Sequence, residues 1–238
     1  MDYWGLKEKK GIILDFDGTM CRLFYGFDLR DTILCLKDKM ETFGVSFNSD
    51  HDAFDVFDVI QSQLDDRVRM SEAFQSADEI LKRAEMSALE TCLVIDHCIE
   101  FITTSLEKGY KIGISTNNSE ECVSRFLSDQ ITSFTADKEN RFDTFAILKE
   151  IPICGRLGLH PDWMKPNPWS LFQAAEEMEI APGDLCFIGD TLRDYDASVA
   201  ADIRFIPFAP TEKKRNRFKT RIRELDIVSS YRDLLKLF

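Results

Sequence analysis

Short apolar runs alternating with helical patterns are the feature that most restricts how this chain can fold. The runs are Gly11-Ile12-Ile13-Leu14, Lys111-Ile112-Gly113-Ile114, Ile151-Pro152-Ile153-Cys154, Leu185-Cys186-Phe187-Ile188 and Ile203-Arg204-Phe205-Ile206. Each has the length of a strand, and the alternation is the signature of a parallel α/β sheet. The first and fourth are apolar on both faces, as strands covered by helices on two sides should be. Pro152 argues against a central place for the third.

Helices fit between these runs. Asp96 can cap one that runs to Gly109, with Cys98, Phe101, Ile102 and Leu106 on one stripe. Asn118 or Ser119 can cap a second through Val123, Phe126 and Leu127, and Pro168 can start a third with Leu171, Phe172, Ala175 and Met178 facing inward. Thr211 starts a fourth that reaches about Leu225. From about Met20 to about Leu93 there is no strand signal, only helical spacings such as Leu29, Ile33, Leu36, Met40 and Phe43. A simple crossover needs one helix, so about 70 residues are too many. Residues 21–93 are therefore read as an inserted all-helical cap, and residues 1–20 with 94–238 as the core.

Composition narrows the partners. The chain has 238 residues, 44% of them apolar, which suffices for a sizeable core. Acids number 42 against 30 bases, a formal charge of −12, so neither nucleic acid nor an anionic membrane is a favoured partner. No segment approaches ~20 consecutive apolar residues, so no membrane span is expected. The start, Met1 to Gly5, carries an early acid and no apolar stretch of the secretory kind, and a cytoplasmic setting is expected. The seven cysteines include no C-x-x-C pair and read as reduced thiols, Cys154 and Cys186 as small core residues. The three histidines are scattered, which gives little support to a histidine metal site or a Ser-His-Asp triad.

The polar residues that follow the runs carry the chemistry. The first run leads into Asp15-Phe16-Asp17-Gly18-Thr19, the second into Ser115-Thr116-Asn117-Asn118, and the fourth into Gly189-Asp190 with Asp194 close behind. In open parallel sheets ligands bind beyond the carboxyl ends of the strands, so these residues converge on one rim. Carboxylates gathered there repel one another and need a cation; an all-oxygen set favours a hard ion such as Mg²⁺. Lys165, in Met164-Lys165-Pro166-Asn167-Pro168, adds positive charge just before a helix. Carboxylates, a hydroxyl, a cation and a lysine suit phosphoryl transfer, in which a carboxylate can serve as the nucleophile.

The ordered set of segments resembles the haloacid dehalogenase superfamily. Asp15-Phe16-Asp17-Gly18-Thr19 is similar to its D-x-D-G-T motif, Thr116 to its second, Lys165 to its third, and Gly189-Asp190-Thr191-Leu192-Arg193-Asp194 to its G-D-x-x-x-D fourth. The likeness runs from about residue 11 to 208 and implies a three-layer, Rossmann-like core. It implies that Asp15 is the nucleophile and that Asp17 protonates the leaving oxygen and then activates water. Thr116, with Asn117 beside it, would bind the phosphoryl group, and Lys165 would hold it against Asp15. Mg²⁺ would sit on Asp15, the Asp17 carbonyl and Asp190, with Asp194 supporting the water around the ion. The acid at position 17 marks phosphotransfer, since the dehalogenases of this superfamily lack it. A helical insert between the first and second motifs is similar to the subfamily of phosphoglycolate phosphatases and β-phosphoglucomutases. The implied activity is Mg²⁺-dependent hydrolysis of a small phosphorylated metabolite.

Rival readings have their own signatures. A phosphomutase shares the four motifs but keeps water out. A receiver-type signalling module is about half this length and phosphorylates an aspartate after a later strand. An idle relative acting as an interaction domain would not need the full set. Arg156 and Arg22 could reach a substrate anion or be ordinary surface arginines. The basic run Lys213 to Arg223 reads as an amphipathic helix with a solvated face, with a nucleic-acid or acidic-partner patch as the alternative. Cys21 lies near the motif without a clear reactive context.

Overall fold

Strand β1, Gly11–Leu14, is buried at every residue, which an apolar run can satisfy only between two covering layers. In the computed structural model, which describes residues 4–48, 50–135, 148–156, 163–221 and 227–238, it lies at the centre of a five-stranded sheet. Its neighbours are β4 (Lys111–Ser119) and β6 (Leu185–Gly189), with β5 (Ile153–Arg156) and β7 (Arg204–Pro207) on the edges. All the pairings are parallel; Ile12 aligns with Ile112 on one side and Cys186 on the other. Two short strands, β2 (Cys21–Arg22) and β3 (Leu93–Val94), form a separate antiparallel ribbon.

Side-chain alternation divides the core between the two faces. Ile12, Leu14 and Ile188 pack with Phe101, Val123, Phe126 and Tyr231. The last four come from α4 (Cys98–Glu107), α5 (Glu120–Thr135) and α9 (Tyr231–Leu235). Ile13, Leu185 and Phe187 pack the other way, with Leu171, Ala197 and Phe218. Those belong to α6 (Trp169–Glu177), α7 (Leu192–Ala200) and α8 (Glu212–Arg221). The sheet is thus the doubly covered parallel one that the pattern implied, and Rossmann-like as the resemblance implied.

The stretch between β1 and β4 is mainly helical: α1 (Arg30–Glu41), α2 (Val56–Gln63) and α3 (Arg67–Ala88). Leu36, Met40, Phe57, Phe74 and Leu81 give these helices an apolar cluster of their own. Asp66 caps α3 by accepting from the amides of Val68 and Arg69, so the longest helix starts where its free N–H groups first find an acceptor. The stretch is not wholly helical, because the β2–β3 ribbon closes its base. Runs of two residues are too short to carry a period.

Other boundaries moved for local reasons. The third strand begins at Ile153 rather than Ile151, past Pro152, and lies on an edge as the proline demands. Asp96 does not cap α4; His97, in the left-handed region at φ 64°, precedes it without a side-chain cap. Ser119 does cap α5, accepting from the Cys122 amide at 3.4 Å. Thr211 accepts from the Lys214 amide at the start of α8, whose expected end near Leu225 lies outside the described residues.

Arg156 joins the insert to the sheet. Its guanidinium donates to Asp78 at 2.6 Å and Glu85 at 2.9 Å, both buried, and to the half-buried Asn117 carbonyl at 2.7 Å. Glu85 also accepts from the Asn118 side chain and the Ser119 amide, each at 3.1 Å. The arginine is therefore engaged structurally, with its donors committed to these partners. Burial would lower its pKa, but Glu85 and Asp78 hold it raised. Truncating Arg156 to alanine leaves two buried carboxylates without their main counter-ion. The expected loss is about 3–5 kcal/mol in a denaturant titration, and a loss under about 1 kcal/mol would show that the cluster is not the joint.

Candidate active site

Two strand ends, the body of a third strand, one helix start and one loop supply the predicted residues. β1 runs straight into Asp15, whose amide still donates to the Ile188 carbonyl, so the carboxylate is fixed at the last pairing of the sheet. β6 ends at Gly189 and presents Asp190, and α7 begins two residues later. At that helix start Thr191 and Asp194 form a reciprocal capping box. Thr116 lies within β4, and Lys165 in the loop that leads to α6. Asp15, Asp17, Thr116, Asn117, Lys165, Asp190 and Asp194 all line one cavity of about 460 Å³.

Lys165 is the hub. It is 2% exposed, and its ammonium donates to Asp15 Oδ1 at 2.6 Å and the Ser115 carbonyl at 2.9 Å, with Asp194 Oδ1 at 2.6 Å. Burial would lower its pKa, but the Asp15 and Asp194 charges raise it, so the lysine stays cationic. Asn117 holds the Lys165 main chain at both ends of its amide, at 2.8 and 2.9 Å. That engagement makes Asn117 a positioning residue in this structure. Ser115 faces away from the rim, bonded to Ser170 at 2.8 Å. Thr116 Oγ1 donates to Asn118 Oδ1 at 3.0 Å and lies at the cavity wall.

The acids are arranged unequally. Thr19 donates to Asp15 Oδ2 at 3.2 Å, a contact latent in the first motif and not singled out from the sequence. Asp17 Oδ1 accepts from the Leu23 amide at 2.8 Å. Asp194 is fully engaged, with Lys165 on one oxygen and Thr191 on the other at 2.6 Å. Asp190 pairs with Lys214 through Oδ2, while its buried Oδ1 has no partner. Gly18, at φ 90°, lets the loop pass so close that a side chain there would run into Asp190. Burial raises the pKa of Asp15 against the pull of Lys165, and that of Asp190 against Lys214. It lifts Asp17 to about 6, opposed mainly by the Leu23 amide.

This set fits a divalent cation. Asp15, Asp190 and Asp194 each bring a carboxylate oxygen within 4.8 Å of the others. An orphaned buried carboxylate oxygen is costly unless a cation meets it. Hard oxygen donors are the set that Mg²⁺ takes.

The insert contributes the far wall. Phe54 and Asp55 line the same cavity, and Arg193 of α7 pairs with Asp58 across the gap. Arg22 does not line it; its guanidinium lies 4.6 Å above the Tyr25 ring. Cys21 is buried, and burial pushes its thiol pKa far up, which leaves no reactive thiolate.

Residues 9–202 match the family profile of haloacid dehalogenase-like hydrolases, and the chain belongs to that family. No curated protein sequence matches it. Among solved structures it resembles a predicted phosphatase from Clostridium acetobutylicum, at 16% identity and TM-score 0.64, covering 96% of this chain and 97% of that one. A subfamily IA hydrolase of the haloacid dehalogenase superfamily from Geobacter sulfurreducens matches at 18% identity and TM-score 0.55, over 97% and 100%. A predicted phosphoglycolate phosphatase from Haemophilus somnus matches at 16% and 0.57, over 97% and 98%. At such identities the likeness speaks to the fold, and the family profile supplies the membership.

The raised pKa of Asp17 has a consequence for stability. Between its ordinary 3.8 and about 6 the folded chain binds more protons than the unfolded chain. This group's contribution is therefore present at low pH and is lost as pH rises through that window. Chelator-treated protein should show it in thermal melts, and Asp17→Asn should flatten the dependence. An identical pH profile in the variant would contradict the assignment.

Proposed function

We propose that the protein is a Mg²⁺-dependent phosphatase that hydrolyses a small phosphomonoester through an aspartyl-phosphate on Asp15. One observation carries this reading: Asp15 and Asp17 lie two residues apart on the floor of one cavity, with Lys165 locked onto the first. The Asp15 carboxylate attacks phosphorus while Asp17 gives a proton to the departing ester oxygen. A carboxyl whose pKa is held near 6 can be protonated for that step and ionised for the next, when it takes a proton from the attacking water. Thr116 turns its hydroxyl from Asn118 to a phosphoryl oxygen, and Lys165 neutralises charge on the same group. Asp15, the Asp17 carbonyl and Asp190 would hold Mg²⁺, which when bound would neutralise phosphoryl charge.

In this reading residues 21–93 act as a cap over a core of 1–20 and 94–238. The separate apolar cluster of the insert and its place at the cavity wall support that division. A small phosphorylated metabolite fits a cavity of about 460 Å³, and neighbours described as predicted phosphoglycolate phosphatases support that class. Neither nucleic acid nor membrane is a partner; the −12 charge supports this, and no helix among the described residues is long and apolar enough to cross a membrane. Seven free thiols suit a reducing cytoplasm.

Phosphate release from p-nitrophenyl phosphate tests the chemistry. Asp15→Asn should abolish turnover, and Asp17→Asn should reduce it by about 10²–10⁴-fold. Chelation should remove the activity and added Mg²⁺ restore it. Undiminished release by the Asp15→Asn protein would end the nucleophile assignment.

A further inference from the structure

The basic stretch on α8 has no part in the steps above, yet Arg217 lines the same cavity and Lys214 reaches the acidic rim. Lys214 forms an ion pair with Asp190 and donates to the Gly18 carbonyl at 3.2 Å. Its neighbours on the helix, Lys213 and Lys219, are exposed, whereas the Lys214 side chain is 25% exposed. Phe218, one turn further on and on the same face, is buried with its ring centroid 5.9 Å from that of Phe205. The lysine is therefore delivered by an anchored helix rather than waved from a surface. A side chain at Gly18 would run into both Asp190 and Lys214, so the three groups meet at one point.

We propose that Lys214 is a tethered competitor of the divalent cation for Asp190, so that α8 sets how tightly the site holds its metal. The inference rests on the metal reading of the site. Without the ion, the ammonium relieves repulsion among Asp15, Asp17, Asp190 and Asp194. When the ion binds, it meets an Asp190 whose charge is already partly answered, and it faces a fixed positive group. Both effects weaken binding relative to a rim without the lysine, and the separations are too short for salt to screen them fully. Lys165 plays no such part: it is buried and bonded to Asp15, Asp194 and the Ser115 carbonyl.

Titration calorimetry with Mg²⁺ and Mn²⁺ tests this on the chelator-treated full chain. Lys214→Met should bind either ion about tenfold more tightly than the wild type, and Lys214→Arg should stay close to it. The rise in Tm on adding Mg²⁺ should be larger for Lys214→Met, because only its metal-free state has lost a counter-ion. The wild type offers a check that needs no loss of charge. After reductive ¹³C-methylation, the Lys214 resonance, assigned by its absence from Lys214→Arg, should shift on addition of Mg²⁺. Equal or weaker ion binding by Lys214→Met, or an unmoved resonance, overturns the proposal. If Asp190→Asn loses the ion while Lys214→Met binds as the wild type does, only the competitor role fails. If the wild type itself binds no ion, the metal reading falls and this inference with it.

Discussion

Four carboxylates on one rim are the constraint that the rest of the site answers. Two such charges about 4 Å apart cost on the order of 4 kcal/mol even at an effective dielectric near 20. A whole domain has a net stability of only about 5–15 kcal/mol. The chain can bring Asp15, Asp17, Asp190 and Asp194 together only if it brings positive charge to the same place. Lys165 is that charge: it joins the end of β1 to the start of α7, and its own main chain is held by Asn117 from β4. Sheet register and charge pairing are thus one arrangement seen from two sides.

The cluster around Arg156 obeys the same rule and reaches a different end. There Asp78 and Glu85 are answered by the guanidinium and by neighbouring donors, and no side-chain atom of the cluster is left without a partner. A closed network of this kind fixes α3 against the sheet and has nothing left to offer a ligand. At the rim one buried oxygen, on Asp190, stays open. The contrast separates a joint from a binding site without appeal to relatives, since polar groups left unsatisfied in a buried place call for a cation or a substrate.

What could be read from the sequence follows from the range of each interaction. β1 and β6 were legible because burial on both faces leaves a purely apolar run. The β2–β3 ribbon was not, since Cys21-Arg22 and Leu93-Val94 are too short to show alternation. Asp96 looked like a cap because capping residues are common before apolar stripes, but the turn at His97 placed the helix start one residue later. The pairing of Lys165 with Asp15 spans 150 residues and was foreseen only through the ordered motifs. Arg156 carried no such marker, and its partners lie 71 and 78 residues away, so local pattern left its role open. Lys214 was hidden among equal neighbours; its difference from Lys213 comes from helix phase against Phe218, which tertiary packing sets.

The pKa pattern and the need for a cation are the same property. Desolvation by burial raises Asp15, Asp17 and Asp190, neighbouring carboxylates add to it, and Lys165 and Lys214 oppose it. Two remedies exist, protons or a divalent ion. At low pH protons serve, and in the proposed reading they would disable Asp15 as a nucleophile. Near neutrality a divalent ion would serve instead and would leave Asp15 charged. Asp17 is held by a main-chain amide and stands apart from the three clustered carboxylates, so it can keep a proton while the ion answers the others. In the proposed reading, dividing the two remedies between neighbouring acids would give a nucleophile and an acid catalyst from one residue type, two positions apart.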